Sequence, residues 1–516
     1  MKFKLLTYFL SAFFLTCLFN AAAQNISFTQ SNEFINKNGA FKYVIGENSS
    51  SFYVLRLGTK GSGVQNNIEK YNKKSYALEW VKDVAFEKDL GDKIPSGDNQ
   101  RSQVVLVKDK LYFVLSLLET RKNRRSVYVK AIRSDNGESL GPAQLLAEEE
   151  DFKSTEKFDV SFSPDTTLIL IKSGIRPTES RGTQIVSAKF LSYKYVKLFD
   201  IKTYKELFKK EMPTSDAKGE LAITSVSSDN VGNLLCIYSH LDKPKDLFGT
   251  KEIRAFAPGL GKIPVNSTQL IPFDLDIKVN DHAYLLTNSL QYDKNLNYAV
   301  ITGIFVDYSC KKCERKEGTF FMKVDLNNSK ILISEHHYFD DKLHQYYKDL
   351  YENGDYDRLL CITSVIDETN GDVYNIALGY HETILISHFS KEGKLIWAKP
   401  LPRGFITYTN SMGIGFAYMV KNEKFYMIYA DHQKNAEMDL ANFNVKKVKL
   451  QTAVTGAAIV GVVIDNSGNA KQKVLRINEK NTANFNPGTI DNIAERAPIF
   501  NLQNRNKEQF IRFEIN

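Results

Sequence analysis

The sequence predicts an all-β fold, a propeller of seven or eight four-stranded blades in a ring closed by its N- and C-terminal strands. Two observations carry this. Apolar runs of five to ten residues, among them SFYVLRL, KLYFVLSLL, TTLILI, YAVITGIFV and KFYMIYA, recur between turn signals, while long amphipathic helical patterns are almost absent. A second pattern, an apolar strand end followed by an Asp/Asn/Ser/Gly turn and an outer strand, returns at Asn72, Asp135, Asp200, Gly259, Asp325, Ser390 and Asp465, roughly 60 to 75 residues apart. Four strands in series, repeated at that period, describe a propeller, whereas a sandwich needs fewer strands and a β-helix a shorter period.

The elements follow in chain order. Residues 1–23 have a positive head (Lys2, Lys4), an apolar run from Leu5 to Phe19 and small residues Ala21-Ala22-Ala23, the layout of a cleaved signal peptide with its cut between Ala23 and Gln24. The run is shorter than the ~20 residues of a spanning helix. Cys17 lies within it, behind a poor lipobox. No later stretch is apolar enough to cross a membrane, so residues 24–516 are expected to form one exported propeller domain in the periplasm or at the cell surface. The formal net charge of +8 falls by two with the leader and gives no warrant for a nucleic-acid partner.

Each blade begins with a strand–polar turn–strand unit, seen in VSFSPDTTLILI, VSSDNVGNLLCIYS, VIDETNGDVYNIALGY and MVKNEKFYMIYA. The repeat turn follows, clearest in FSKEGKLIW (Phe389 to Trp397), with a weaker copy around Ala257-Pro258-Gly259. The turn types tolerate the left-handed or tightly bent backbone of a short hairpin. Seven units run from about Phe41 to Ile477, and the strands ISFTQSNEFI and IFNLQNRNKEQFIRFEIN are left to complete blade seven or build an eighth.

The Asp turns ending in Gly-Asn or Gly-Asp (Asp229 to Asn233, Asp367 to Asp372) and the FSKEGKLIW copy resemble the repeats of secreted bacterial propellers of the quinoprotein-like and related superfamilies. The resemblance covers most of the chain at the level of blade pattern and implies the fold, because propellers host many functions. Quinone enzymes of that kind use a disulfide between adjacent cysteines and a tryptophan over a calcium ion. This chain has no adjacent cysteines, and Trp80 and Trp397 occupy outer strands, where packing between blades is expected.

The densest polar cluster, residues 334–358, yields the candidate site. If Asp340 to Tyr351 is helical, Asp340 and His344 sit one turn apart, and His337 can join them, a spacing that admits a divalent metal. The plainer reading is a solvated connection between blades, on a face where propellers carry their sites. No cofactor is predicted. Cys310 and Cys313 form a C-x-x-C expected to be a disulfide pinning a hairpin tip, while Cys236 and Cys361 read as buried apolar residues. FDLDIKVNDH fails the EF-hand pattern, and the tip RKNRR (Arg121 to Arg125) and run EEED (Glu148 to Asp151) read as solvated loops. G-x-S-x-G, H-E-x-x-H and P-loop motifs are lacking. The expected role is a non-catalytic binding or scaffold protein with a protein or glycan partner. The rival is a hydrolase or lyase on a polysaccharide or peptide, with carboxylates from several blades meeting at the channel mouth.

Overall fold

The computed structural model describes residues 26–60, 63–84, 86–90, 100–119, 122–150, 158–175, 192–216, 219–241, 259–273, 283–293, 298–307, 316–350, 360–378, 383–404, 416–451, 453, 455–480, 484–485, 499–504 and 507–515. Among them the strands form eight antiparallel sheets in a ring. Seven blades follow the chain, at 40–83, 100–149, 159–211, 215–272, 283–338, 360–401 and 416–477. The eighth combines Asn484–Phe485, Ile499–Asn504 and Lys507–Ile515 with the N-terminal strand Ile26–Gln30, which pairs in register from Ile26↔Ile515 to Gln30↔Ile511. Phe34 and Ile35 extend that pairing on the same strand. The blade count is thus eight, and the termini close the ring, so the edge that Lys507–Ile515 would otherwise expose is covered.

Blades are built from inside outward. The first strands of neighbouring blades touch, and Ser364 Oγ bonds to Ser289 Oγ at 3.1 Å between blades 5 and 6. The second and third strands read as continuous apolar runs because both their faces are covered by adjacent blades. Lys110–Glu119 and Arg124–Arg133 are each buried at every position but the two ends. The outer strands alternate, as in Lys330–Tyr338, where one face meets a blade and the other meets solvent. The core is therefore a set of apolar slices between blades. One joins Tyr53 and Ile68 of blade 1 to Phe113 and Leu115 of blade 2, and another joins Tyr374 and Ile386 to Phe425 and Val460 across blades 6 and 7.

The repeat turn works as a latch. Asn72, Asp200 and Asp325 each accept, through their side-chain oxygen, backbone N–H groups two and three residues on. One residue per turn then takes positive φ: Tyr76, Gly137, Tyr204, Ser329, Gly393 and Gly468. Glycine is required where the turn meets the preceding blade. A Cβ on Gly393 would stand 2.7 Å from Phe321 and 2.9 Å from Ile333, and one on Gly468 2.9 Å from Trp397. The tryptophans complete the latch, since Trp80 Nε1 donates to Asp135 O (2.9 Å) and Trp397 Nε1 to Asn466 O (3.2 Å), each reaching the next blade's turn.

Two expectations are corrected. Gly259 does not mark the turn of blade 4. It starts the strand Gly259–Ile263, and the hairpin to Ile271–Pro272 runs through Pro264 to Leu270. The Gly-containing pair misled because this glycine serves a close approach to Tyr238, 2.2 Å from its Cβ position, rather than a turn. The basic tip and acidic run are not independent solvated loops either. Arg124–Arg125 and Glu148–Glu149 lie on neighbouring strands, Arg124 pairs with Glu119, and fully buried Arg125 donates to Glu149 (2.9 Å) and lies 4.2 Å over the Phe158 ring.

Candidate functional site

The cluster read from sequence lies in blade 5 and the connection to blade 6. His336 and His337 end the outer strand Lys330–Tyr338, and a helix spans Asp341–Leu350. The strand turns the two histidines to opposite faces, and each of the three candidate residues has its own partner. Asp340 caps the helix, its Oδ1 accepting from Leu343 N at 2.7 Å. His344 Nδ1 lies 3.2 Å from Oε2 of buried Glu317. His337 Nε2 lies 2.9 Å from Gly393 O and 3.3 Å from Leu395 N, so it docks onto the repeat turn of blade 6. Among the described residues there is no group of three His, Cys, Asp or Glu side chains arranged to hold a metal. Leu343 buries the helix against Ile304, Ala377 and Leu385, and Lys342 Nζ donates to Ala441 O at 2.9 Å, tying blade 5 to the connection of blade 7.

Residues 1–25, and with them Ala23 and Gln24, lie outside the described residues, as do Cys310 and Cys313. Cys236 is buried as expected, and burial pushes its thiol up to about 12, so it is inert.

A stronger site lies where the ring closes. Between the segment 31–38, which carries the chain from blade 8 into blade 1, and the outer half of blade 1 opens a cavity of about 480 Å³. Its walls include Phe34, Tyr71 and Tyr76, with Asn32, Asn36, Asn38 and Ser75 between them and Ile35, Lys37 and Leu78 near the mouth. Below it lies an aromatic cluster in which Tyr71 stacks on Phe52 (5.2 Å) and meets Phe510 edge-on (4.7 Å).

The floor is a buried ionic network joining three distant parts of the chain. Arg56, fully buried, pairs with Glu69 of its own blade and with Glu508 of blade 8, at 2.8 Å to Oε2 and 3.0 Å from Nη1 to Oε1. Tyr71 OH donates to Glu69 Oε2 (2.6 Å), Asn38 Nδ2 to Glu69 Oε1 (2.7 Å), and Asn36 and Asn501 donate to Glu508 (2.9 and 2.8 Å). Burial opposes charge on Arg56, yet the bond to Glu508 and the fields of both glutamates outweigh it and raise its pKa. Burial, with Glu69 beside it, raises the Tyr71 phenol as well, so it stays a donor. Every carboxylate oxygen of the pair has a donor, which is what makes a buried pair tolerable. Sequence reading missed this site because its members stand more than 400 positions apart.

No family model matches the sequence, and no curated protein does. Solved structures similar to it include BamB from Moraxella catarrhalis (9% identity, TM-score 0.37, covering 94% of this chain and 100% of that one). The β-propeller domain of the Trilobed protease from Pyrococcus furiosus, with its open velcro topology, is similar at 11% identity and TM-score 0.38 over 86% of this chain and 97% of that one. The WD40 domain of Toxoplasma gondii coronin is similar at 10% identity and TM-score 0.33 over 96% and 89%. The eight-bladed architecture rests on this chain's own strand pairing.

Proposed function

We propose that this protein is an exported eight-bladed propeller that works as a binding or scaffold protein of the periplasm or cell surface, taking a protein or glycan partner. The observation that carries the reading is the cavity at the ring's seam, preformed, walled by aromatic rings and amide groups, and within the size range of ligand sites. The leader-like pattern of residues 1–23 supports export, and no helix among the described residues is long and apolar enough to span a membrane. Five of the buried carboxylates among the described residues support binding over hydrolysis. Glu69 and Glu508 hold Arg56, Asp372 holds His388, Asp431 holds Asn435, and Glu317 faces His344, so each serves a link within or between blades.

The test is to express the full chain with its own leader in a bacterial host and sequence the N-terminus in each fraction. A mature chain starting at Gln24 outside the cytoplasm is the expected result. A chain retained in the cytoplasm and starting at Met1 would contradict it. Turnover of a peptide or polysaccharide by the purified protein would instead favour the hydrolase or lyase.

A further inference from the structure

We propose that the seam cavity binds an uncharged sugar residue of a glycan, its ring set against Phe34 and Tyr76 and its hydroxyls met by Asn32, Asn38 and Ser75. The proposal rests on the binding reading and narrows its partner class.

Charge decides first. Glu69 is the floor carboxylate, but it is 1% exposed and already accepts from Arg56, Tyr71 and Asn38. Glu33 at the mouth pairs with Lys507 at 3.6 Å. A cationic ligand would meet carboxylates already compensated. An anion would find Arg56 fully buried and Lys37 as the cation among the lining residues. Apart from exposed Lys37, what the lining leaves for a ligand is uncharged: amide, hydroxyl and aromatic groups beside apolar Ile35 and Leu78.

The remaining hydrogen-bonding capacity suits hydroxyls. The Asn32 carboxamide is exposed at the wall and makes no hydrogen bond among the described residues. Ser75 Oγ accepts from Ala77 N (3.3 Å) and keeps its own proton to donate. Asn38 spends its Nδ2 on Glu69 and keeps its oxygen. A carboxamide both donates and accepts, as each sugar hydroxyl does. The half-buried rings of Phe34 and Tyr76 then cover the apolar C–H face of the sugar ring, and a cavity of about 480 Å³ has room for that ring and ordered water.

The test is calorimetric titration of the mature chain with neutral cello-, xylo-, malto- and chito-oligosaccharides, repeated on Asn32→Trp and Ser75→Ala. Both positions are exposed, and Tm is measured on each variant to confirm the fold. The expected result is binding of one neutral series, weakened about tenfold or more by Asn32→Trp, a change of at least about 1.4 kcal/mol, with Tm unchanged. Sugar binding that Asn32→Trp leaves intact would overturn the site while sparing the binding reading. Failure of every neutral series to bind would overturn the proposal, and a protein ligand blocked by Asn32→Trp would then assign the cavity to the other partner class. Cleavage of a bound oligosaccharide would leave the sugar assignment standing and overturn the non-catalytic reading.

Discussion

Asp340 shows at the scale of one residue how a spacing can be right and its meaning different. Asp340 and His344 do stand one turn apart, as the sequence implies, but the aspartate accepts the helix's own N–H and the histidine faces Glu317. Asp340→Ala should therefore cost about 0.5–2 kcal/mol, read by denaturant unfolding, and Asp340→Asn much less. A chelator should leave Tm unchanged, and a chelator-dependent fall in Tm lost in His344→Ala would restore the metal reading. Arg56 carries more. Arg56→Ala leaves two buried carboxylates without their cation and should cost about 3–5 kcal/mol. Asp431, pushed up to about 6 chiefly by burial, gives a signed pH effect. Its native form holds a proton at pH values where the unfolded chain has released it, so its contribution is full below about pH 4 and is lost as pH rises through about 6. Asp431→Asn should flatten that slope in a Tm-against-pH series, and an unchanged slope would assign it to another group.

Elements were largely legible because their signals are local. FSKEGKLIW shows a turn serine and a glycine, and both act as read, with Gly393 N donating to Ser390 O at 2.8 Å. The latch was only half visible, because a sequence shows that Trp80 and Trp397 are aromatic but not that each donates to the next blade's turn. Trp397→Phe keeps most of the packing and loses that bond, for about 1 kcal/mol. Gly393→Ala forces a Cβ onto Phe321 at φ +82° and should cost more, both measured by urea unfolding. In blade 4 the local signal failed, since a glycine needed for a close approach looks the same in sequence as one needed for a turn.

At the scale of the whole molecule, ring closure creates the seam, and the seam creates the cavity. The closure was legible in the terminal strands but the cavity was not: Asn32 to Asn38, Glu69 to Leu78 and Glu508 come together only because the first strand completes the last blade. Their proximity depends on blade count, which the repeat left at seven or eight. The proposed binding at the seam is thus tied to the terminal pairing, and the most direct measurement is hydrogen exchange of the mature chain with and without the neutral oligosaccharide that titrates most tightly. Ligand-induced protection concentrated in 31–38 and 69–78 is the predicted result. Protection confined to the first strands of the blades around the channel, with the seam unchanged, would contradict it.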